Sequence, residues 1–434
     1  MNILESIWNN TEKPKFKTLM GEATTDVLII GGGMCGLLCA YMLDNAGVDY
    51  ILAESGEICS KVTNGTTAKL TVQHGLVYDK IIKKYGIEKA SLYYESQKDA
   101  FDMFKKVAEA SGEKIEICNS FVYSKRNRAV IENEADALNK IGGGAVFRES
   151  TELPFKVAGA VGIENQAKIH PLKMAYAIAK KLNIYENTKV VEIKNNVARA
   201  EKGTIKAKKI IVATHFPFIN KHGWYFIKMY QNRSYVLALK DARKINDMYV
   251  DEAENGLSFR SFDELLLLGG GSHRTGQKGG SYNELRRIAK EYYPRSQEVC
   301  AWATQDCMTL DSVPYIGRYS RSTPDLYVAT GFNKWGMTSS MVAAMILTDM
   351  IQERKNKYEE VYSPYRGIFH PQLAVNMIES VKGLATFKTP RCPHLGCALK
   401  YNKQEHSWDC PCHGSRFEKN GKLIDNPATD DIWK

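Results

Sequence analysis

The chain has 434 residues, which is too long for one ordinary hydrophobic core and indicates two or three domains. Hydrophobic residues make up 44% and charged residues 25%, a balance that excludes a disordered or low-complexity chain. The formal net charge is +10, but no basic–aromatic stripe suggests nucleic acid, so we predict no such partner. A solvated basic surface is the simple interpretation, and attraction to an acidic protein or an anionic membrane is the alternative.

The N-terminal 20 residues contain no apolar core of signal-peptide length. The most apolar segment, Val27 to Leu43, is interrupted by four glycines and is too short to span a bilayer. The sequence therefore predicts no transmembrane segment and a cytoplasmic location. It leaves the oligomeric state open.

The first predicted elements form a βαβ unit with a glycine-rich turn. A strand over 26–30 is followed by a helix over 34–45 and by a second strand over 48–53. The turn after the first strand matches G-x-G-x-x-G, in which the glycines permit a tight turn, close approach of a pyrophosphate and close packing of helix on strand. The three glycines are Gly31, Gly33 and Gly36.

Glu54 ends the second strand, 18 residues after Gly36. A carboxylate at this place can accept hydrogen bonds from ribose hydroxyls. Strand, glycines, helix and acid together predict a dinucleotide-binding site, against the alternative of a glycine turn with an acid beside it by chance. The motif itself does not distinguish FAD from NAD.

Further elements follow along the chain. Apolar residues spaced three and four apart predict helices over 78–112, 131–141, 170–182, 282–293 and 336–353. Short apolar runs predict strands over 189–193, 209–213 and 325–329. Strand-like runs between residues 226 and 271 predict an antiparallel sheet inserted into the nucleotide-binding part or packed beside it. Prolines and Gly367 then mark a boundary between 362 and 390, with a connecting helix over 372–382.

Two more segments favour FAD. Residues 64–71 are polar and flexible and follow the second strand, and residues 328–338 read as strand, glycine loop and helix start. With these segments, the chain from about Asp26 to Glu360 resembles the D-amino-acid-oxidase and glycine-oxidase-like flavoproteins. The resemblance implies bound FAD, with flavin contacts from the late loop and helix start and from the polar segment, and an adenine contact from the short strand. The implied residues are Gly331, Gly336, Met337 and Thr338, then Thr67 and Lys69, and Val191.

The substrate is not readable from the sequence. The resemblance places carboxylate clamps on the inserted strands, where Arg260, Tyr235 and Arg233 lie, and Arg260 and Tyr235 are the candidate catalytic residues. A place on the sheet face, without contact to substrate, is the alternative for each. His273 after three glycines is interpreted as a turn residue.

The last 45 residues carry paired cysteines and histidines. Cys392 and His394 form C-x-H, and 15 residues later Cys410 and His413 form C-x-x-H. This pattern resembles the Rieske [2Fe–2S] motif of the cytochrome bc type. The resemblance implies that the two cysteines bind one iron and the two histidines the other. Structural zinc on the same four ligands is the alternative.

Other features of this segment follow from the same resemblance. Cys397 and Cys412 match the pair that forms a disulfide between the cluster loops, and Gly396 and Gly414 suit tight loops. High-potential members have tyrosine where this chain has Phe417, so a lower reduction potential is expected. The segment is also shorter than a complete Rieske domain, so we expect its loops to lean on the flavin domain or on a second subunit. The remaining six cysteines have no ligand spacing and are expected to be buried free thiols.

The predicted fold class is α/β: a Rossmann-like FAD-binding domain with an inserted antiparallel-sheet substrate domain, and a small β/loop Rieske unit. The predicted domains are a flavoprotein over 1–365, a linker helix over 366–389 and the Rieske unit over 390–434. Within the first, the nucleotide-binding parts are placed at about 22–90, 150–220 and 300–360, and the substrate sheet at about 226–271.

The predicted function is oxidation of an amine or amino-acid-like small-molecule reductant by hydride transfer to FAD. Electrons then leave singly through the cluster to a one-electron acceptor protein or a quinone. An O₂-using oxidase with a structural metal unit and a non-catalytic electron-transfer or sensor protein stay open. A Rieske oxygenase is disfavoured, because the other histidines lack the spacing of a mononuclear iron site.

Overall fold

The computed structural model describes residues 4–386 and 389–433, so residues 387 and 388 of the predicted linker lie outside the described residues. A short 3₁₀ helix, Ile7–Asn10, precedes the first strand. The helices are α1 Met34–Asn45, α2 Val62–Gly65, α3 Tyr78–Tyr85, α4 Ile87–Ala110, α5 Arg128–Lys140, α6 Pro171–Ala179, α7 Tyr225–Lys228, α8 Tyr282–Tyr292, α9 Gly336–Ile351, α10 Glu359–Tyr362 and α11 Pro371–Ala385. The strands are β1 Gly21–Ile30, β2 Tyr50–Ala53, β3 Lys69–Leu70, β4 Glu116–Ser124, β5 Val146–Arg148, β6 Gly159–Lys168, β7 Ile184–Tyr185, β8 Val190–Lys194, β9 Val197–Ala200, β10 Gly203–Val212, β11 Met229–Lys240, β12 Met248–Asp251, β13 Ser258–Phe262, β14 Leu265–Arg274, β15 Gln297–Thr309, β16 Tyr315–Ser320, β17 Thr323–Thr330, β18 Lys400–Asn402, β19 Ser407–Asp409, β20 Arg416–Glu418 and β21 Leu423–Asp425.

The first sheet is the nucleotide-binding sheet, in the order β16-β17-β10-β1-β2-β7, with β8 and β9 attached to β10. The strands β17, β10, β1, β2 and β7 run parallel to one another, and β16 pairs antiparallel with β17 at the edge. The end of β1 is buried on both faces, as its continuous apolar sequence predicts. Helices α1 and α9 pack together on one face of this sheet, where both are almost wholly buried.

The second sheet has the order β15-β11-β14-β13-β12-β4-β6-β3, with β5 on β6. The predicted antiparallel insert supplies β11 to β14, but the sheet is larger than expected because β15 pairs along the whole of β11. It is also mixed, since β12 pairs parallel with β4. The nucleotide-binding sheet with its helices and the inserted sheet together give the predicted α/β fold class. The cavity described below is lined by residues of both sheets.

The third sheet is small and lies in the C-terminal segment, in the order β18-β19-β20-β21. Each strand has three residues, so the sheet offers only a minor core of its own, built around Phe417 and the cysteines. Helix α11 connects this sheet to the rest of the chain, and it includes residues 372–382, which were predicted as the connecting helix. Among the described residues, no helix is both long and apolar enough to cross a membrane.

Candidate functional site

The glycine-rich turn adopts a conformation that requires glycine at two places. Gly31 has φ +111°, and a Cβ built there would lie 2.6 Å from the carbonyl oxygen of Ala213 on the neighbouring strand. A Cβ at Gly36 would lie 1.8 Å from the carbonyl oxygen of Gly31, so the helix can approach the strand only without a side chain. At Gly33 the nearest atom is Thr63 Oγ1 at 3.5 Å, and the space beside it belongs to a cavity.

The side chain of Glu54, directly after β2, is held by hydrogen bonds from two backbone amides. Its Oε2 accepts a hydrogen bond from the Gly32 amide at 2.7 Å, and its Oε1 accepts one from the Gly56 amide at 2.9 Å. The carboxylate therefore has a set orientation at the cavity wall, in the position that a ribose requires.

The cavity has a volume of about 1040 Å³ and runs from the glycine turn to the second sheet. The predicted residues that line it are Gly31, Gly33, Glu54, Thr67, Lys69, Tyr235, Gly336 and Met337. Those that do not line it are Gly36, Val191, Arg260, Gly331 and Thr338. Val190 faces the cavity in place of Val191, because side chains alternate along a strand. A cavity of this volume that begins at a glycine turn and a helix N-terminus fits a dinucleotide.

Lys69 is a basic group in the cavity wall. Its Nζ donates a hydrogen bond to Thr67 Oγ1 at 2.9 Å. Burial, and then the nearby Arg260 guanidinium, lowers the pKa of Lys69 to about 7. Near neutral pH this amine can therefore hold or release a proton at the cavity wall.

Arg260 has a different environment from the one expected of a substrate clamp. It is 1% exposed, and its guanidinium donates to the carbonyl oxygens of Ala68 at 2.6 Å, Ile169 at 3.4 Å and Thr67. These contacts hold the polar segment before β3 in place and leave the guanidinium outside the cavity wall. The structure thus favours a positioning role over the predicted catalytic role, and burial lowers the pKa of Arg260 to about 10.

Tyr235 lines the cavity and is 2% exposed. Its ring stacks on His273 at a centroid distance of 5.8 Å and meets Tyr282 edge-on at 4.8 Å. Burial raises the pKa of its hydroxyl, which is therefore neutral in the working range. Arg233, the other clamp candidate, forms an ion pair with Glu405 of the C-terminal segment instead.

Ionisable cavity residues outside the predicted set include Lys334 and Asp306. Lys334 Nζ donates to Ser272 Oγ at 2.5 Å, and burial lowers the pKa of this lysine. Asp306 on β15 also lines the cavity, and burial raises its pKa to about 6 although Lys334 and Arg233 oppose the shift. Lys334 lies inside the glycine loop of residues 328–338, so the sequence does mark its position near the flavin. Asp306 lies on a strand that was not predicted, so no sequence pattern marks it.

The C-terminal segment brings its two cysteine–histidine motifs together as paired loops. Each loop is closed by the same backbone bonds, Cys392 N–H to Cys397 C=O at 2.9 Å in one and Cys410 N–H to Ser415 C=O at 2.8 Å in the other. Gly396 and Gly414 have φ +77° and +84°, which suits glycine. A disulfide joins Cys397 to Cys412 and links the loops.

The sulfur of Cys410 lies among backbone donors, since the amides of His413, Cys412 and Gly414 all bond it and help to lower its pKa. It is also in hydrogen-bond contact with the thiol of Cys392, whose own pKa that contact raises. The Ser415 hydroxyl also forms a hydrogen bond with Cys392. Converging amides stabilise thiolates, which are the form that binds iron.

The two imidazoles face each other through their Nδ1 atoms, 3.2 Å apart. Burial lowers the pKa of His394 to about 4, and burial followed by the nearby His394 lowers that of His413 further, so both rings are neutral. The Nε2–H of His394 donates to Asn220 Oδ1 at 2.7 Å, which leaves its Nδ1 as a free electron pair. Two thiols and two convergent imidazole nitrogens fit one [2Fe–2S] cluster.

The paired loops rest on the second sheet, as the short length of the segment predicts. Gln231 Nε2 donates to the carbonyl oxygen of His413 at 2.7 Å, and Gln305 Nε2 donates to that of Gly414 at 2.8 Å. Arg274 donates to the carbonyl oxygens of Pro411 and Cys412 at 2.9 and 3.1 Å. These donors lie on β11, β14 and β15, so strands of the flavin domain support the cluster loops of this shortened Rieske segment.

The last residues complete this contact at the cavity. Asn426 Nδ2 donates to the carbonyl oxygens of Thr214 and Phe216 at 2.6 and 2.7 Å, and Lys189 Nζ donates to that of Thr429 at 2.5 Å. Residues 422–426 and 428–429 line the same cavity as the glycine turn. The cavity wall is therefore built from both parts of the chain.

Comparison with known families agrees with this arrangement. Residues 26–350 match the model of the DAO family, FAD dependent oxidoreductase, and residues 372–433 match that of the Rieske [2Fe-2S] domain. The chain belongs to the FAD dependent oxidoreductase family. It carries a Rieske domain as well, so it is a flavoenzyme with two cofactors, FAD and a [2Fe–2S] cluster.

Individual relatives cover both parts of the chain. YhfW of Bacillus subtilis, described as a Rieske 2Fe-2S iron-sulfur protein, is 32% identical over 98% of this chain and 96% of its own length. The chloroplastic iron-sulfur subunit of the cytochrome b6-f complex from Fritillaria agrestis is 42% identical over 53 residues, 12% of this chain and 23% of the subunit.

Solved structures share the fold of the flavin part. L-proline dehydrogenase from P. horikoshii superposes with a TM-score of 0.66 at 20% identity, over 80% of this chain and 98% of its own. Glycine oxidase from Geobacillus kaustophilus superposes with a TM-score of 0.66 at 18% identity, over 80% of this chain and 100% of its own. These structures confirm the predicted architecture, while the individual site residues stay predictions.

Proposed function

We propose that this protein oxidises a small amine or amino-acid-like substrate in the cavity and sends the electrons out singly through its cluster. The observation that carries the proposal is the shared wall of the two sites. Gln305 lines the cavity and donates to the carbonyl oxygen of Gly414 in the cluster loop, and it also donates to Gln231 Oε1 at 2.7 Å. A single hydrogen bond, from Gln305 to Gly414, therefore joins the cavity wall to the loop that holds His413.

The charges of the cavity support a substrate with a carboxylate. Lys334 presents an amine to the cavity, with Asp306 and Glu254 nearby, and a carboxylate is the ligand that would pair with this group when it is protonated. The proteins of the same fold are named for proline and glycine, which are amino acids. The tyrosine ring of Tyr235, stacked on His273, provides an apolar surface for the rest of the substrate.

The proposed reaction breaks the C–H bond next to the substrate nitrogen. The bond electrons leave as hydride, and the electron pair of the unprotonated nitrogen forms the C=N bond of an iminium ion, so the substrate loses two electrons and one proton, both carried by the hydride. Release of an N–H proton to solvent then gives the neutral imine. FAD supplies the hydride acceptor when bound, and a [2Fe–2S] cluster supplies a one-electron outlet. The chain itself contributes Lys334 for orientation and the N-terminus of α9, with Lys69, for stabilisation of negative charge on the cofactor.

The experiment is anaerobic reduction by a panel of amines and amino acids. A true substrate should bleach the flavin and then produce the electron paramagnetic resonance signal of a reduced Rieske cluster. Cys392→Ser should remove that signal and slow reoxidation by a one-electron acceptor at least about tenfold, while flavin reduction stays near the wild-type rate. Cys300→Ser, a buried free thiol on β15, is the matched control and should change neither rate.

The rival functions give different results in the same experiment. Reoxidation of Cys392→Ser by O₂ at the wild-type rate, with no acceptor that prefers the wild type, indicates an oxidase with a structural metal unit. If no member of the panel bleaches the flavin, while chemical reduction yields both reduced cofactors, an electron-transfer or sensor protein is the better description.

A further inference from the structure

Helix α11 turns its apolar residues away from the protein. Five large side chains on it are between 45% and 66% exposed, namely Val375, Met377, Ile378, Val381 and Leu384. They lie three and four residues apart, so they share one half of the helix surface. We call these five residues the outer apolar face.

The polar and small residues of the same helix face inward. Asn376 is 2% exposed, donates to the carbonyl oxygen of Ile227 at 3.1 Å and accepts from Arg274 at 2.8 Å. Gly383 is buried against the disulfide, since a Cβ there would lie 2.6 Å from Cys412 Sγ. These contacts fix the rotation of the helix, so the outer apolar face cannot turn into the core of this chain.

Other exposed apolar residues flank the helix near the cluster loops. Phe369, two residues before α11, is 92% exposed, and Trp224, at the start of the short helix α7 that packs on α11, is 63% exposed. Leu395 is 39% exposed and follows the cluster histidine His394 directly in the chain. Aromatic side chains beside an aliphatic stripe are the composition of a membrane interface.

The charge of the surrounding chain has one sign. Residues 361–404 contain six basic residues and one acidic residue, Glu379, whose carboxylate is paired with Lys382 at 3.2 Å. Residues 213–232 contain Lys221 and Lys228 and no acidic residue. The six basic residues are Arg366, Lys382, Lys388, Arg391, Lys400 and Lys403. Arg366 is buried in an ion pair with Asp311, whereas Lys221, Lys382, Lys400 and Lys403 are exposed. The exposed lysines are therefore complementary to an anionic partner.

We propose that the outer apolar face of α11, with Phe369, Trp224 and Leu395, docks on the surface of an anionic lipid bilayer. The helix would lie in the plane of the interface, with its apolar residues among the acyl chains and the lysines among the headgroups. A half-helix of aliphatic residues offers no hydrogen-bonding group, which favours acyl chains over the polar surface of an acidic protein. Docking brings the first cluster loop to the membrane, where lipid-dissolved electron acceptors reside.

The first test measures co-sedimentation of the full-length holoprotein with vesicles. We expect binding to vesicles of phosphatidylglycerol and phosphatidylcholine, weaker binding to phosphatidylcholine alone, and release by salt, because surface charges are screened. The proposal needs no substrate, so its outcome is separate from that of the proposed function. Absence of binding to the anionic vesicles at low salt would overturn it.

The second test distinguishes binding through the outer apolar face from nonspecific hydrophobic binding by other exposed residues. Ile378→Asn with Val381→Asn should weaken vesicle binding by about tenfold, since two aliphatic side chains no longer enter the bilayer. The control pair Ile87→Asn with Ile117→Asn removes residues that are 50% and 52% exposed elsewhere and should bind like wild type. Lys382→Gln with Lys400→Gln should weaken binding to the anionic vesicles only.

Flavin content and the cluster signal in each variant show that the chain is folded. Equal vesicle binding by both asparagine pairs contradicts the proposal. A wild-type dimer in solution that Ile378→Asn with Val381→Asn dissociates also contradicts it, and assigns the outer apolar face to a second copy of this chain. Capture of an acidic carrier protein with unchanged vesicle binding would assign the basic residues alone to that carrier and leave the bilayer as the partner of the apolar face.

Discussion

Asn220 determines which nitrogen of His394 is available to the cluster. Its Oδ1 accepts from Nε2–H at 2.7 Å, and the ring then presents an unprotonated Nδ1 towards His413. A hydrogen-bond acceptor behind a ligand imidazole increases the electron density of the ligand and so stabilises the oxidised metal. The sequence contains no signal for this residue, because it lies 174 positions from the histidine that it contacts.

We expect Asn220→Asp to lower the reduction potential of the cluster, because a carboxylate is a stronger acceptor and adds negative charge beside it. Potentiometric titration followed by electron paramagnetic resonance measures the shift. The control Asn420→Asp adds the same charge in an exposed turn of the same unit, where its side chain accepts from the Lys422 amide, and should leave the potential near wild type. An unchanged or higher potential in Asn220→Asp contradicts the assigned ligation.

Gly33 is the residue at which a side chain would enter the cavity without disturbing the fold. No atom lies closer than 3.5 Å to a Cβ built there, so Gly33→Val should fold and lose FAD affinity by a factor on the order of 100, as the pyrophosphate loses its backbone contacts. Flavin content after gel filtration measures the loss. Gly367→Val, which also has free space, is the control. Normal flavin content in Gly33→Val would contradict the assignment of the turn.

Sequence patterns located these residues with unequal success. Glycines and cluster ligands carry fixed spacing, so the sequence predicts Gly31, Gly33, Cys392 and His394 from their positions in the chain. Arginine on an inserted strand carries no such information, and Arg260 binds backbone carbonyls because that is where its strand faces. Asp306 reaches the cavity only through tertiary packing, which the sequence does not encode locally, whereas Lys334 lies in a glycine loop that the sequence does mark.

At the level of elements, an ion-pair network fixes the Rieske unit on β11. Glu405 accepts from Arg233 and from Arg416, and Arg416 also pairs with Asp409 and Asp425. Burial alone would raise the pKa of Glu405, but the two arginines outweigh it and lower the value to about 2. A carboxyl with a lowered folded pKa contributes stability above its unfolded pKa and loses it as pH falls through the folded value.

The docking of the Rieske unit should therefore persist from neutral pH down to about pH 4, the unfolded pKa of a glutamate, and fail between about pH 4 and pH 2. Arg233→Met should destabilise the docked unit by roughly 3 kcal/mol, since it removes one partner of a buried pair. Arg233→Met with Glu405→Gln should recover part of that loss, because no carboxylate is then left with reduced pairing. Chemical denaturation of the three proteins, followed by the cluster absorbance, measures the coupling; additive losses would contradict it.

The elements themselves were predicted best where the pattern is local. The βαβ unit, α9 and α11 have clear apolar periodicity and were found within a few residues. The predicted helix over 78–112 is two helices, since Gly86 with φ +85° ends α3 and begins α4. Strand β15 was missed because adjacent polar residues such as Gln305 and Asp306 break the period-two alternation by which a half-buried strand is recognised.

On the scale of the whole molecule, the flavin part and the Rieske unit form one structure with a common cavity. The predicted domain boundary separates the two parts in sequence, but residues 422–426 and 428–429 of the Rieske unit line the cavity of the flavin part. Asn426 connects the two parts, because its side-chain amide donates to the carbonyl oxygens of Thr214 and Phe216 in the segment after β10. The same segment carries Asn220, the partner of His394.

Loss of the Asn426 hydrogen bonds should therefore weaken the retention of FAD. Asn426→Ala removes two part-buried hydrogen bonds of about 1 kcal/mol each, so the C-terminal residues 422–429 should open more often and FAD should dissociate about tenfold faster. Flavin fluorescence on release measures the rate, and the cluster signal shows that the ligands remain in place. The control Asn420→Ala lies in an exposed turn of the same unit and should release FAD at the wild-type rate. If Asn426→Ala also retains FAD like wild type, the Rieske unit does not contribute to the flavin site, and the two cofactors are held independently although their binding parts are in contact.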